Sequence, residues 1–213
     1  MRLKTTLLCA ATALALAGQA EARGWYVNLE AGANWISDVD VHWSEVSAGV
    51  VNFSTVSEGR FDTGWAVLGA IGYDLQNWRV EYEVGWRSND KDRFDLLPVS
   101  TGDLDELTFM FNMAYSFPLG EAFSFSIGGG AGGDYAMLDI VNADDSSLNF
   151  AYQGMVGFNY RVAPDVELTL NYRYLHVLDP EFKDTDGVTT VHYNFDDISK
   201  HAVTFGVRYT FAP

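Results

Sequence analysis

The sequence predicts an all-β chain: an eight-stranded antiparallel up-and-down barrel that crosses a membrane. Three observations predict it. Eight segments alternate apolar and polar residues with a period of two, most of them 10 to 14 residues long. Tilted membrane strands need roughly 9 to 11 residues, whereas soluble strands average nearer 5 or 6. The connections between the segments are alternately short and long, the pattern of a membrane barrel with short turns at one end and long loops at the other. Finally, 15% of the 213 residues are aromatic and 20 are glycine, yet mean hydropathy is only −0.03. That composition excludes a disordered chain and fits strands better than helices.

The first 22 residues read as a cleaved export signal. Arg2 and Lys4 give a basic start, Leu7–Ala17 is apolar but too short to span a bilayer, and Ala20-Glu21-Ala22 is a small-x-small cleavage site. Residues 23–213 are then the barrel domain. Cys9 is the one cysteine of the chain and lies inside the signal. The mature chain is therefore expected to fold without disulfides and to have no thiol chemistry.

The first segment, Trp25–Trp35, sets the pattern. Trp25, Val27, Leu29, Ala31, Ala33 and Trp35 alternate with Tyr26, Asn28, Glu30, Gly32 and Asn34. A helix would return apolar residues every three or four positions, so this is a strand with two unlike faces. Thr63–Tyr73, Trp78–Arg87, Leu107–Phe117, Phe123–Tyr135, Leu148–Arg161, Val166–His176 and His201–Phe211 behave alike. Between them lie short turns (Asp74–Asn77, Pro118–Ala122, Val162–Asp165) and long loops (Ile36–Asp62, Ser88–Glu106, Ala136–Ser147, Val177–Lys200).

Face polarity names the medium. The apolar set of Leu107–Phe117 (Leu107, Phe109, Phe111, Met113, Tyr115, Phe117) is too bulky to fill a barrel and must face lipid. Aromatics gather at strand ends: Trp25, Tyr73, Trp78, Phe117, Phe123, Tyr160 and Phe211 near the short turns, Trp35, Trp86, Tyr135 and Tyr174 near the long loops. These form two interfacial girdles.

The polar set faces inward. It holds the acids Glu30, Glu81, Glu83, Asp134 and Glu167 and the bases Arg79, Arg87, Arg161, Arg173 and Arg208. Counted from the short turns, Arg79, Arg161, Glu167 and Arg208 lie low, Glu30, Glu81, Glu83 and Arg173 in the middle, Arg87 and Asp134 high. An eight-stranded barrel is just wide enough for its own side chains. Acids and bases at every level are therefore expected to pair into a salt-bridge network rather than line a channel.

The net charge of −16 argues against nucleic acid as a partner. Twenty of the 29 acids fall in the four long loops, with five bases, Arg60, Lys91, Arg93, Lys183 and Lys200. Such a surface stays solvated and either recruits an external ligand or binds divalent cations that bridge it to lipid phosphates. Asp184-Thr185-Asp186-Gly187 matches the start of a calcium loop but lacks the closing Glu. Gly128–Gly133 contains a GxGxxG match inside a strand, without the following helix a dinucleotide site needs. His42-Trp43-Ser44 is similar to the His-x-Ser pair of lipid A deacylases, although it falls in the longest loop. His176, His192 and His201 gather near the long-loop end. None of these sets demands a cofactor or a catalytic role.

The last strand, Thr204-Phe205-Gly206-Val207-Arg208-Tyr209-Thr210-Phe211, resembles the C-terminal assembly signal of outer-membrane barrels, with Gly206, Tyr209 and Phe211 as its key positions; here Ala212 and Pro213 follow. Phe61–Val67 and Phe150–Gly154 also resemble the opacity-protein-like barrels of Gram-negative bacteria, relatives of the outer-membrane protein A barrel. The resemblance implies a cell outer-membrane location, periplasmic termini, extracellular loops, contact with lipid and lipopolysaccharide, and insertion by the barrel assembly machinery. The expected role is a non-enzymatic surface protein for envelope integrity or external contacts. Its rivals are a narrow pore for ions or small solutes and a lipid A-modifying enzyme.

Overall fold

The computed structural model describes residues 24–47, 50–94, 102–140, 143–178, 181–186 and 189–211. The expected signal segment, with its expected cleavage site at Ala20 and Ala22, lies outside them. Twelve strands follow one another: β1 (Gly24–Ile36), β2 (Val39–Ser47), β3 (Val50–Phe61), β4 (Gly64–Leu75), β5 (Trp78–Phe94), β6 (Gly102–Pro118), β7 (Phe123–Ile140), β8 (Ala143–Ala163), β9 (Val166–Val177), β10 (Glu181–Asp186), β11 (Thr189–Phe195) and β12 (Ile198–Thr210).

Eight of them close a ring. β1 pairs with β4, β4 with β5, and the ladder continues through β6, β7, β8, β9 and β12 back to β1, antiparallel throughout. Closure leaves the ring without a free edge, so every backbone group within the bilayer can pair. The short turns are tight. Gln76 adopts φ 73° in the two-residue turn Gln76–Asn77, as a hairpin whose twist matches its strands requires.

The faces divide as alternation demands. In β1, Trp25, Val27 and Leu29 are exposed while Tyr26, Asn28 and Glu30 are buried. Phe111 is 72% and Phe205 56% exposed on the outer wall, a position that only lipid makes tolerable. The turn-side girdle is a chain of ring contacts: Trp25–Tyr73 at 5.2 Å, Trp78–Tyr115 at 5.0 Å and Phe123–Tyr160 at 4.7 Å.

The long connections differ from expectation. Residues 36–62 and 177–200, read as loops, carry the hairpins β2–β3 and β10–β11. β11 pairs with β2, and β3 joins the end of β5, so these four strands build a β-canopy on the barrel rim. Most of 88–106 and 136–147 is strand too: β5 runs to Phe94, β6 starts at Gly102, β7 reaches Ile140, and β8 begins at Ala143. The wall continues past the bilayer, where water wets both faces and alternation is no longer enforced.

A closed ladder of this kind resists SDS until heated. Detergent-refolded protein is expected to migrate differently boiled and unboiled on SDS gels; identical mobility, with a β-type circular dichroism spectrum, would count against the ring.

Candidate functional site

The barrel interior is a column of charge in three layers. The lowest lies beside the short turns. Arg208 donates to Glu167 (Nη1–Oε2 3.0 Å), which also receives Arg161 (Nη2–Oε1 3.1 Å). Arg79 donates to Ser116 Oγ at 2.5 Å, and the Arg208 guanidinium lies 5.2 Å from the centre of the Tyr26 ring. Arg161 is the outermost of these, its side chain 39% exposed. A polar cavity of about 290 Å³ opens here, lined by Asp74, Arg79, Ser116, Glu121, Arg161 and Glu167 among others.

The middle layer is buried and densely hydrogen-bonded. Arg173 on β9 donates to Glu83 Oε2 on β5 at 2.7 Å and to Glu30 Oε2 on β1 at 3.1 Å, crossing the lumen. Glu30 also accepts from Asn28 (2.6 Å), Asn171 (2.8 Å) and Thr204 (2.6 Å). Gln153 reaches Glu83 at 3.2 Å and Asn112 at 2.8 Å. Asn112 in turn donates to Glu81, which accepts Tyr26 Oη at 2.8 Å. Glycine makes room for this crowd. A methyl group at Gly130 would collide with Asn112 Oδ1 and the Phe111 carbonyl, so this glycine of the GxGxxG stretch serves close packing within a strand.

The upper layer corrects the sequence reading. Glu106 and Lys200, which alternation places in loops, are both buried inside the barrel. Lys200 Nζ bridges Glu106 and Asp134, the latter at 2.6 Å. Arg87 donates to Thr108 Oγ1 at 2.7 Å, and Asn34 pairs with Asn89. The added acid and base keep the interior balanced. Above them Ile36, Val39, Leu104, Ala136, Val177 and Ile198 form an apolar plug, with Phe61 packed against it. Alternation does not reveal the plug, because all of these residues fall in segments that it marks as loops.

The other candidates are placed as follows. Gly206 pairs with Glu30 in the β1–β12 ladder, and Tyr209 and Phe211 contact edge to face at 5.3 Å. Phe211 donates its backbone N–H to Trp25 O at 2.8 Å, fastening the chain end to the first strand. His42 meets Asp196 at 3.3 Å in the canopy. His176 and His201 lie on the outer wall, and the side chain of His192 lies outside the described residues. Gly187, which ends the Asp184 motif, is outside them too. Among the described residues, no group of three or more His, Cys, Asp or Glu could hold a metal ion.

Solved outer-membrane barrels share this architecture. Neisserial surface protein A is 18% identical with a TM-score of 0.58, the alignment covering 90% of this chain and 99% of that one. OprG, an outer membrane protein from Pseudomonas aeruginosa, is 17% identical with a TM-score of 0.63, covering 90% and 98%. Identities this low speak for the fold alone. No curated protein sequence matches the chain. The family model described as the outer membrane protein beta-barrel domain matches residues 5–211, nearly the whole sequence. A closed ring of eight antiparallel strands, lipid-facing without and charged within, is thus accounted for: the chain belongs to the outer membrane protein β-barrel family.

Proposed function

We propose that this outer-membrane barrel serves the cell surface, supporting envelope integrity and meeting external molecules through its acidic canopy. In this reading the canopy is extracellular, both termini are periplasmic, and the terminal strand with Gly206, Tyr209 and Phe211 is what the assembly machinery reads. The observation that carries the proposal is the bridge from Arg173 to Glu30 and Glu83, which fills the lumen at mid-height. With the Lys200 bridge and the apolar plug above it, the barrel supports no open conduit. With the lumen filled, the canopy is the region free to make contacts. Its acids would repel lipopolysaccharide phosphates unless divalent cations bridged them, so such ions are proposed as partners.

A narrow pore is the second reading, favoured by the cavity among Arg79, Arg161 and Glu167 at the short-turn end. Planar-bilayer recording separates the two. Wild-type protein is expected to give at most small, infrequent openings. A stable, large conductance would refute the closed lumen and place the pore first.

A further inference from the structure

Ser199, His176 and Asp197 meet on the outer wall of the barrel, where neither lumen nor canopy uses them. Their placement follows from strand geometry. Ile198 and Lys200 of β12 are buried inward, so Ser199 points out; Leu175 and Val177 of β9 are buried inward, so His176 points out. Ser199 and His176 are direct cross-strand partners. Ser199 Oγ is 3.1 Å from His176 Nδ1, and His176 Nε2 is 3.2 Å from Asp197 Oδ2. The Tyr174 hydroxyl is 2.9 Å from Ser199 Oγ and 3.2 Å from His176 Nδ1. The imidazole is held from both sides, its side chain 15% exposed.

The neighbouring histidine shows what an interfacial histidine looks like without this arrangement. His201 stacks on Trp35 at 5.6 Å and meets Ser37 and Tyr172, but neither partner is a carboxylate. Hydroxyl, imidazole and carboxylate in series are what nucleophilic acyl transfer needs.

We propose that Ser199, His176 and Asp197 form a hydrolytic triad for acyl esters of membrane lipids. Depth points to the substrate. Tyr152 lies 4.9 Å and Tyr174 6.1 Å from the His176 ring, and Trp35 and Tyr172 flank the neighbouring His201 in the same girdle at the canopy end. Girdle rings mark the boundary between acyl chains and head groups. Ester carbonyls of lipids lie at that boundary, and water, the second reactant, reaches it.

The chemistry balances. Asp197 holds the proton on Nε2, which leaves the Nδ1 lone pair facing Ser199. As Oγ bonds to the acyl carbonyl carbon, Nδ1 takes its proton. The Tyr174 hydroxyl, 2.9 Å from Ser199 Oγ, is the donor that turns to the oxyanion as it forms on the carbonyl oxygen beside it. The carbon–oxygen bond to the alcohol then breaks, and His176 gives its proton to the leaving oxygen. Water attacks the acyl-serine with His176 as base. The proton returns to Ser199, and a fatty acid and an alcohol are released.

The mature chain, refolded and checked for heat-dependent mobility, is incubated with vesicles containing either diacyl phosphatidylethanolamine or lipopolysaccharide, and free fatty acid is measured by mass spectrometry. Release is expected in at least one arm, and the arm identifies the lipid. Ser199→Ala and His176→Gln are each expected to lower it by a factor on the order of 10³ or more, with heat-dependent mobility retained. A fluorophosphonate is expected to label Ser199. A correctly folded wild-type barrel that releases no fatty acid in either arm, or a Ser199→Ala variant that releases it at the wild-type rate, overturns the triad.

Discussion

Arg173→Ala is expected to lower the unfolding free energy of the barrel by about 3 to 5 kcal/mol, the usual loss when one partner of a buried ion pair is removed. Both carboxylates that Arg173 joins, Glu30 and Glu83, are about 1% exposed, so water cannot replace the guanidinium without opening the middle layer. The asymmetry of buried pairs decides the size. The intact bridge adds little over a well-packed apolar cluster, but half of it leaves charge stranded in a poor solvent. Urea titration of refolded protein, followed by heat-dependent mobility, measures the effect. Arg161→Ala is the control. Its partly exposed pair with Glu167 is worth no more than about 1 kcal/mol, so the rim variant should unfold near the wild-type midpoint. Equal losses at the two sites would mean that the middle layer is wet.

Lys200→Met is expected to cost a similar amount, again about 3 to 5 kcal/mol, for a different reason. The thioether keeps the length and packing of the lysine stem. The lost ammonium leaves Glu106 and Asp134, both buried beneath the apolar plug, facing each other without a cation between them. Two like charges then repel at close range where screening is weak. Adding Glu106→Gln to Lys200→Met should recover a substantial part of the loss in the same titration. A double variant no more stable than the single one would show that Lys200 acts through packing and not through charge.

Lys200 is invisible to alternation for a physical reason. Alternation located all eight barrel strands and the three short turns, because lipid on one side and a polar lumen on the other force unlike faces. The signal fails where two polar residues stand together. Asp105-Glu106 and Ser199-Lys200 each break the period of two, so alternation ends the strands at Leu107 and His201. In the structure both pairs continue their strands, one member inward and the other outward at the level of the girdle. An outward Ser199 next to an inward Lys200 is polar on both faces because this depth is itself an interface. The canopy strands were hidden for the same reason taken further. Ser54-Thr55-Val56-Ser57-Glu58 belongs to β3, yet no lipid requires its faces to differ. Layer order in the lumen was legible from counting residues up from the turns. Partners were not, since Arg173 reaches Glu30 and Glu83 across the barrel over 143 and 90 residues of chain.

The length of β8 fixes how far this molecule reaches. Its 21 residues rise about 3.3 Å each along the strand, and a tilt of about 40° turns that into a height of roughly 50 Å. The apolar band of an outer membrane is about 25 Å tall. A hydrogen-bonded wall therefore stands clear of the bilayer by a distance comparable to the bilayer itself, stiff rather than tethered. Whatever meets its tips is held at arm's length from the lipid. Because side chains change sides at every residue, that standoff can be trimmed or extended only by two residues per strand at a time, about 5 Å per step, if each face is to keep its orientation.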